Sequence, residues 1–331
     1  MLTIVAHHYV VNSGLLEMVP AAGKLTANDI FILLFGWGGK TGINCFVLIT
    51  GFFMCTSKIT VRKYVRLLAE RYFYYIIFFL IFVISGYMAF SFKMFANVLF
   101  PFFTVADGFT SCFLLFYLFI PFLNKLIEAM SKKEHLRLLI LLLGIYTILP
   151  SLLKAHVWFN YITWFGVIYL TASYIRLYPK KWFSDTRRCG FLLLISLLLS
   201  WASIVIIAVL GRKFGLNAEY YFFVSDSNKI LAVLTSVCAF LFFKNVSVRQ
   251  SRFINKVAES TFGVLLIHGN SSIMCQWLWK DTLNNARFYN SPWLAVHAVC
   301  SVIGVYVACT IIDRIRIVMI ERPVSRRIFK D

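Results

Sequence analysis

Charge is scarce in this sequence. Asp, Glu, Lys and Arg supply only 14% of its 331 residues, where soluble domains carry about a quarter. With 60% apolar residues and a mean hydropathy of +0.78, the chain is too apolar to clothe a soluble fold. It reads as an all-α, polytopic integral membrane protein. Acidic residues are scarcer than basic ones, 14 Asp and Glu against 33 Lys and Arg, giving a net charge of +19. No linker or low-complexity stretch divides the chain, so a single membrane domain over 1–331 is expected. None of the eight cysteines stands in a CxxC pair, and nearly all lie inside apolar runs. They read as small buried hydrophobes, and no metal site is expected. The opening residues lack a basic n-region and a small-residue cleavage site, so no cleavable signal peptide is expected. The Gly-rich stretch GWGGKTGINCF at 36–46 is not a phosphate-binding loop, because that pattern needs glycine six residues before Lys40 and Leu34 stands there.

Long apolar runs are abundant. Bounded by charges, proline and glycine, they predict about ten transmembrane helices: 1–11, 30–55, 72–92, 109–127, 136–153, 157–176, 189–211, 228–243, 261–279 and 293–313. The 34 Phe, 16 Tyr and 8 Trp suit helices packed in lipid with aromatic belts. If both termini are cytoplasmic, the segments 58–71, 125–137, 176–188, 244–256 and 314–330 fall on the inside and hold 24 of the 33 basic residues. That alternation follows the positive-inside rule, and it assigns the basic excess to topology and anionic lipid. Nucleic acid is not an expected partner.

Several polar residues interrupt the apolar pattern. His7 and His8 sit in an opening run of eleven residues, shorter than the roughly 20 a helix needs to cross the hydrocarbon. A histidine within the membrane usually faces a polar cavity or a partner, and its near-neutral pKa suits it to take a proton from a hydroxyl. His268, in TFGVLLIHGN beside Gly269 and Asn270, is a second such interruption; together they predict a lined cavity. His135, His156 and His297 read as structural, and Asp313 as a helix-end anchor paired with Arg314 or Arg316. The glycines of 36–46 let a neighbouring helix or a ligand approach closely. Lys40 there either snorkels to the interface or holds an acceptor sugar or a carboxylate. In KITVRKYVRLLAER at 58–71, Lys58, Arg62 and Arg66 are spaced to share one helix face, with Arg71 at the mouth of the next span. Two readings stand: a loop resting on anionic lipid, or a clamp for the phosphates of a coenzyme.

Taken in order, LTIVAHHY, GINCFVLITGFF at 42–53, the basic loop leading into RYF at 71–73, TFGVLLIHGN and the basic tail after IIDRIR resemble membrane-bound acyltransferase family 3, over essentially the whole chain. The likeness is greatest to the branch that acts on Gram-positive surface polysaccharides. Members are bacterial cell-membrane enzymes of roughly ten helices. The resemblance implies transfer of an acetyl group from cytoplasmic acetyl-CoA, as co-substrate, to a hydroxyl of an extracytoplasmic capsule or cell-envelope polysaccharide or its lipid-linked precursor. It implies His8 as general base or acyl relay, with His7 taking that place if the register shifts by one. Arg66 and Arg71 become donor contacts, Asn44 lines the site, and His268 lies behind it or on the acceptor side. The family's first helix carries Arg, ten intervening residues and then His with an aromatic. Placed on His8 and Tyr9, the Arg falls upstream of Met1, so the first helix is expected to be truncated.

Two other classes share these features. A transporter or flippase for lipid-linked sugars would also need a polar cavity in the membrane, with matching breaks in two repeats; no internal repeat is evident. A membrane scaffold or sensor would tolerate His8→Ala, and an enzyme would not.

Overall fold

The computed structural model describes residues 1–20, 23–100, 108–215 and 219–324, and among them the chain is all helix with no strand. The principal elements are α1 (Leu2–Val11), α2 (Ala27–Phe35), α3 (Gly39–Met54), α4 (Val61–Ile84), α5 (Phe92–Leu99), α6 (Phe109–Ala129), α7 (Lys132–Leu152), α8 (Tyr161–Leu177), α9 (Thr186–Lys213), α10 (Ile230–Asn245), α11 (Arg252–Glu259), α12 (Thr261–His268) and α13 (Leu294–Val324). Among the described residues six spans are long and apolar enough to cross a membrane: α2 with α3 as one, α4, α6, α7, α9 and α13. The other expected spans are helical but shorter, with 10 residues in α1, 17 in α8, 16 in α10 and 8 in α12.

Local chemistry sets the boundaries. Capping boxes start α2 at Thr26 with Asp29, α7 at Ser131 with Glu134, and α8 at Asn160 with Thr163. Each satisfies backbone N–H groups that the first turn leaves without a carbonyl. The expected span 72–92 is the second part of α4, which begins at Val61 because the Thr60 side chain accepts from the Lys63 N–H. Lys58 therefore lies outside the helix, and the expected three-cation face reduces to Arg62 and Arg66. After α4 the chain reverses at Gly86, whose φ of +73° is a left-handed conformation that favours glycine. α5 then folds back along α4, with Phe90 and Phe95 packed on Phe79. The expected span 261–279 is likewise broken. α12 stops at His268, Asn270 donates back to the Leu266 carbonyl at 3.1 Å, and Ser271 caps a new turn, Ser272–Cys275. Polar side chains here carry the backbone bonding that a continuous helix would otherwise supply.

α3 lies centrally, against α1, α8 and α10. A methyl on Gly42 would stand 2.7 Å from Cγ1 of Ile4, so the bare glycine surface is what lets α1 seat on α3. α9 and α13 turn rows such as Phe191, Leu194, Leu198 and Ile303, Val307, Ile311 outward, as helices facing lipid do.

The basic segments gather at one end of the bundle. Arg66 pairs with Glu321 at 2.5 Å, Arg314 pairs with Glu259, Asn124 donates to the Met54 carbonyl at 3.0 Å, and Asn245 donates to the Phe183 carbonyl at 2.6 Å. Near this end Arg316 is buried among Asp313 at 2.9 Å, Glu70 at 3.1 Å and Glu321 at 2.6 Å, while Tyr74 donates to Asp313 at 2.7 Å. Asp313 thus anchors α13 as the sequence suggests, with Arg316 as its partner. The other end is closed by Asn28 on the Tyr289 carbonyl at 2.7 Å and Asn228 on the Tyr146 carbonyl at 2.8 Å.

Candidate active site

Half-helices that stop inside the bundle leave a cavity of about 600 Å³ between them. α1 contributes His8, and Asn12, the residue that ends it, follows four positions later. α4 contributes Tyr75, Phe79 and Phe82, and α5 contributes Met94, Asn97 and Val98. Gly108 and the first residues of α6 close another side, as do Gly269, Asn270 and Cys275 after α12. The walls are mostly apolar, with a few polar groups converging on one region, the usual form of a small-molecule site.

The backbone fixes the state of two of the histidines. His7 Nδ1 lies 2.6 Å from the Gly36 carbonyl, which can only accept, so that nitrogen carries the proton. The His7 ring is held against α3, where Gly39 leaves no space for a side chain, and it does not line the cavity. His268 Nδ1 likewise donates to the Val264 carbonyl at 2.6 Å. Its Nε2 is consequently a bare lone pair, and it is buried without a hydrogen-bond partner. The His8 and His268 rings stand 5.0 Å apart, centre to centre, and His8 Nδ1 is also buried and unpartnered. The structure therefore brings His8 and Asn270 to one cavity wall, with His268 buried behind His8 and His7 turned away toward α3.

The remaining sequence candidates lie elsewhere. Asn44 is fully buried between helices, donating to the Ser227 carbonyl at 2.7 Å and accepting from Trp164 Nε1 at 2.9 Å. Lys40 binds the Tyr161 hydroxyl at 2.6 Å and pairs with Asp226 at 3.3 Å, tying α3 to α8 and the loop before α10. Arg66 is engaged by Glu321, and Arg62 lies one turn before it on α4. Arg71 is buried and donates to the carbonyls of Val98 and of Asn97, with the Tyr75 ring 4.1 Å from its guanidinium carbon. It closes the end of α5, which forms a cavity wall, and so reaches the site through that helix.

Asn12, Asn97 and Cys275 line the cavity unforeseen. Asn12 was legible, four residues after His8 at helical spacing; it donates to Cys275 Sγ at 3.4 Å. Asn97 and Cys275 carried no signal, because their position depends on the reversal at Gly86 and the break at Gly269. Among the described residues no group of three or more His, Cys, Asp or Glu is placed to hold a metal ion.

The described residues thus form a helical membrane bundle with a histidine on the wall of a mostly apolar cavity. The family model described as an acyltransferase domain, that of acyltransferase family 3, matches residues 1–313. The chain belongs to that family and is a membrane acyltransferase. No curated protein and no solved structure matches it.

Proposed function

We propose that the protein moves an acetyl group from cytoplasmic acetyl-CoA to a hydroxyl of an extracytoplasmic envelope polysaccharide or its lipid-linked precursor. In this reading it sits in a bacterial cell membrane with both termini cytoplasmic and the basic end inward, as the clustering of Lys and Arg at that end supports. The observation that carries the reading is His8. It is a histidine on the wall of an interior cavity, in a chain whose family transfers acyl groups.

The thioester is already activated, so the remaining work is to deprotonate the hydroxyl and to stabilise the tetrahedral oxyanion. His8 takes the hydroxyl proton as the oxygen attacks the thioester carbonyl. The C–S bond then breaks and the thiolate leaves with that proton, giving the ester and free coenzyme A. The first turn of α6 opens on the same cavity, and its backbone N–H groups suit a developing negative charge. The family assignment disfavours a transporter, which would consume no thioester.

The test is the O-acetyl content of purified surface polysaccharide, read by proton NMR in a strain lacking the gene and in the same strain carrying the wild type or His8→Ala. Acetyl lost on deletion, restored by wild type and absent with a membrane-inserted His8→Ala supports the reading. Acetyl unchanged throughout refutes it for that polysaccharide.

A further inference from the structure

We infer that His268 is a positioning residue that accepts a hydrogen bond from His8 Nδ1–H and so turns the bare Nε2 of His8 toward the acceptor hydroxyl. The inference rests on the proposed role of His8 and adds a second residue to it.

Three features of the geometry converge. The Val264 carbonyl claims His268 Nδ1 at 2.6 Å, so His268 can offer only a lone pair at Nε2. That lone pair is buried with no partner, and an unsatisfied buried acceptor calls for a function or a bound group. His8 Nδ1 has no partner either, and its Cε1–Nδ1 edge faces Gly269, where a methyl would lie 3.2 Å from Cε1 and 3.6 Å from Nδ1. At 5.0 Å between ring centres, nitrogens pointed at each other stand about 3 Å apart, a hydrogen-bond separation. The rings are tilted by 48°, so the inferred bond requires the His8 ring to turn about its side-chain torsions.

Several polar groups on the elements around His8 already have partners, while Thr41 Oγ1 on α3 and Trp279 Nε1 are buried without one. His7, with its ring centre 6.1 Å away, gives its proton to Gly36; the amide of Asn12 donates to Cys275; that of Asn270 donates to Leu266; and Lys40 is held by Tyr161 and Asp226. No carboxylate lines the cavity among the described residues, so a neutral imidazole does what an aspartate does in many histidine-dependent enzymes. When His8 accepts the hydroxyl proton at Nε2, both its nitrogens are protonated and the Nδ1–H bond to His268 strengthens. Returning the Nε2 proton to the leaving thiolate restores the starting tautomer. His268 neither gains nor loses a proton.

The test uses the full-length protein in proteoliposomes with acetyl-CoA and an acceptor polysaccharide. Gln reaches the Nε2 position with an amide oxygen that accepts; Leu does not accept, and Asn reaches only the Nδ1 position. His268→Gln is expected to keep most of kcat, while His268→Leu and His268→Asn lose about 100-fold at unchanged KM. A purely packing role would instead spare Leu and penalise Gln, and that order overturns the inference. Nitrogen-15 solid-state NMR of His8 reads the tautomer independently of turnover. Nδ1–H in wild type that is lost in His268→Leu supports the pairing, and Nε2–H in wild type overturns it. If wild type shows no turnover, the acyl-transfer reading fails, and the NMR result alone decides whether the pair exists.

Discussion

Arg71 donates to the Asn97 carbonyl at 3.2 Å, and also to the neighbouring Val98 carbonyl, so that a guanidinium on α4 caps the C-terminal end of α5 inside the bundle. The last carbonyls of a helix have no partner of their own, and the helix dipole places negative potential there. A cation that donates at two points is a direct solution where water is excluded, and Tyr72 adds a bond to the Leu99 carbonyl at 2.8 Å.

Arg71→Leu is expected to leave those carbonyls unpaired and to lower stability by about 2–4 kcal/mol. Because α5 is a wall of the cavity, turnover should fall as well. Arg71→Lys recovers part of the loss, since an ammonium donates to one carbonyl without spanning both. Thermal unfolding in detergent, with acetyl transfer measured alongside, checks both expectations.

Gly42→Ala places a methyl 2.7 Å from Ile4 Cγ1 and 2.9 Å from Thr3 Oγ1, and is expected to displace α1 at a stability loss of about 1–3 kcal/mol. Gly304 on α13 has nothing within 4 Å of the corresponding methyl, so Gly304→Ala is the matched control and is expected to be neutral or slightly stabilising. A thermal shift of equal size in both variants would refute the close α1–α3 contact.

Arg316→Leu removes the one cation that Asp313, Glu70 and Glu321 share. It is expected to cost about 3–5 kcal/mol, because buried carboxylates are left uncompensated. Arg316→Leu combined with Asp313→Leu should cost less than the two single changes added together, and a double-mutant cycle on unfolding midpoints measures that coupling.

Asn44→Leu leaves the Ser227 carbonyl and the Trp164 N–H buried without partners, and is expected to lower stability by about 2–4 kcal/mol. Since Asn44 lies outside the cavity, the folded fraction should keep its KM for both substrates. A raised KM with unchanged stability would instead place Asn44 at the substrate.

By itself the sequence determined the membrane class, the segments that become helix and the sorting of basic residues to one end, because each follows from composition and local period. It also marked His8, His268 and Asn270, since a polar group in an apolar run stands out without any knowledge of contacts. Tertiary structure decided which of those groups meet. Lys40, Asn44 and Arg71 carry the same polar signal, yet packing commits them to Asp226, to Trp164 and Ser227, and to the end of α5. Asn97 and Cys275 reach the cavity only because Gly86 reverses the chain and the helix after His268 breaks. The physical reason is one of range. Hydrophobic period and capping act over a few residues, whereas a cavity is formed by helix ends far apart in sequence whose polar backbone must be satisfied where they meet.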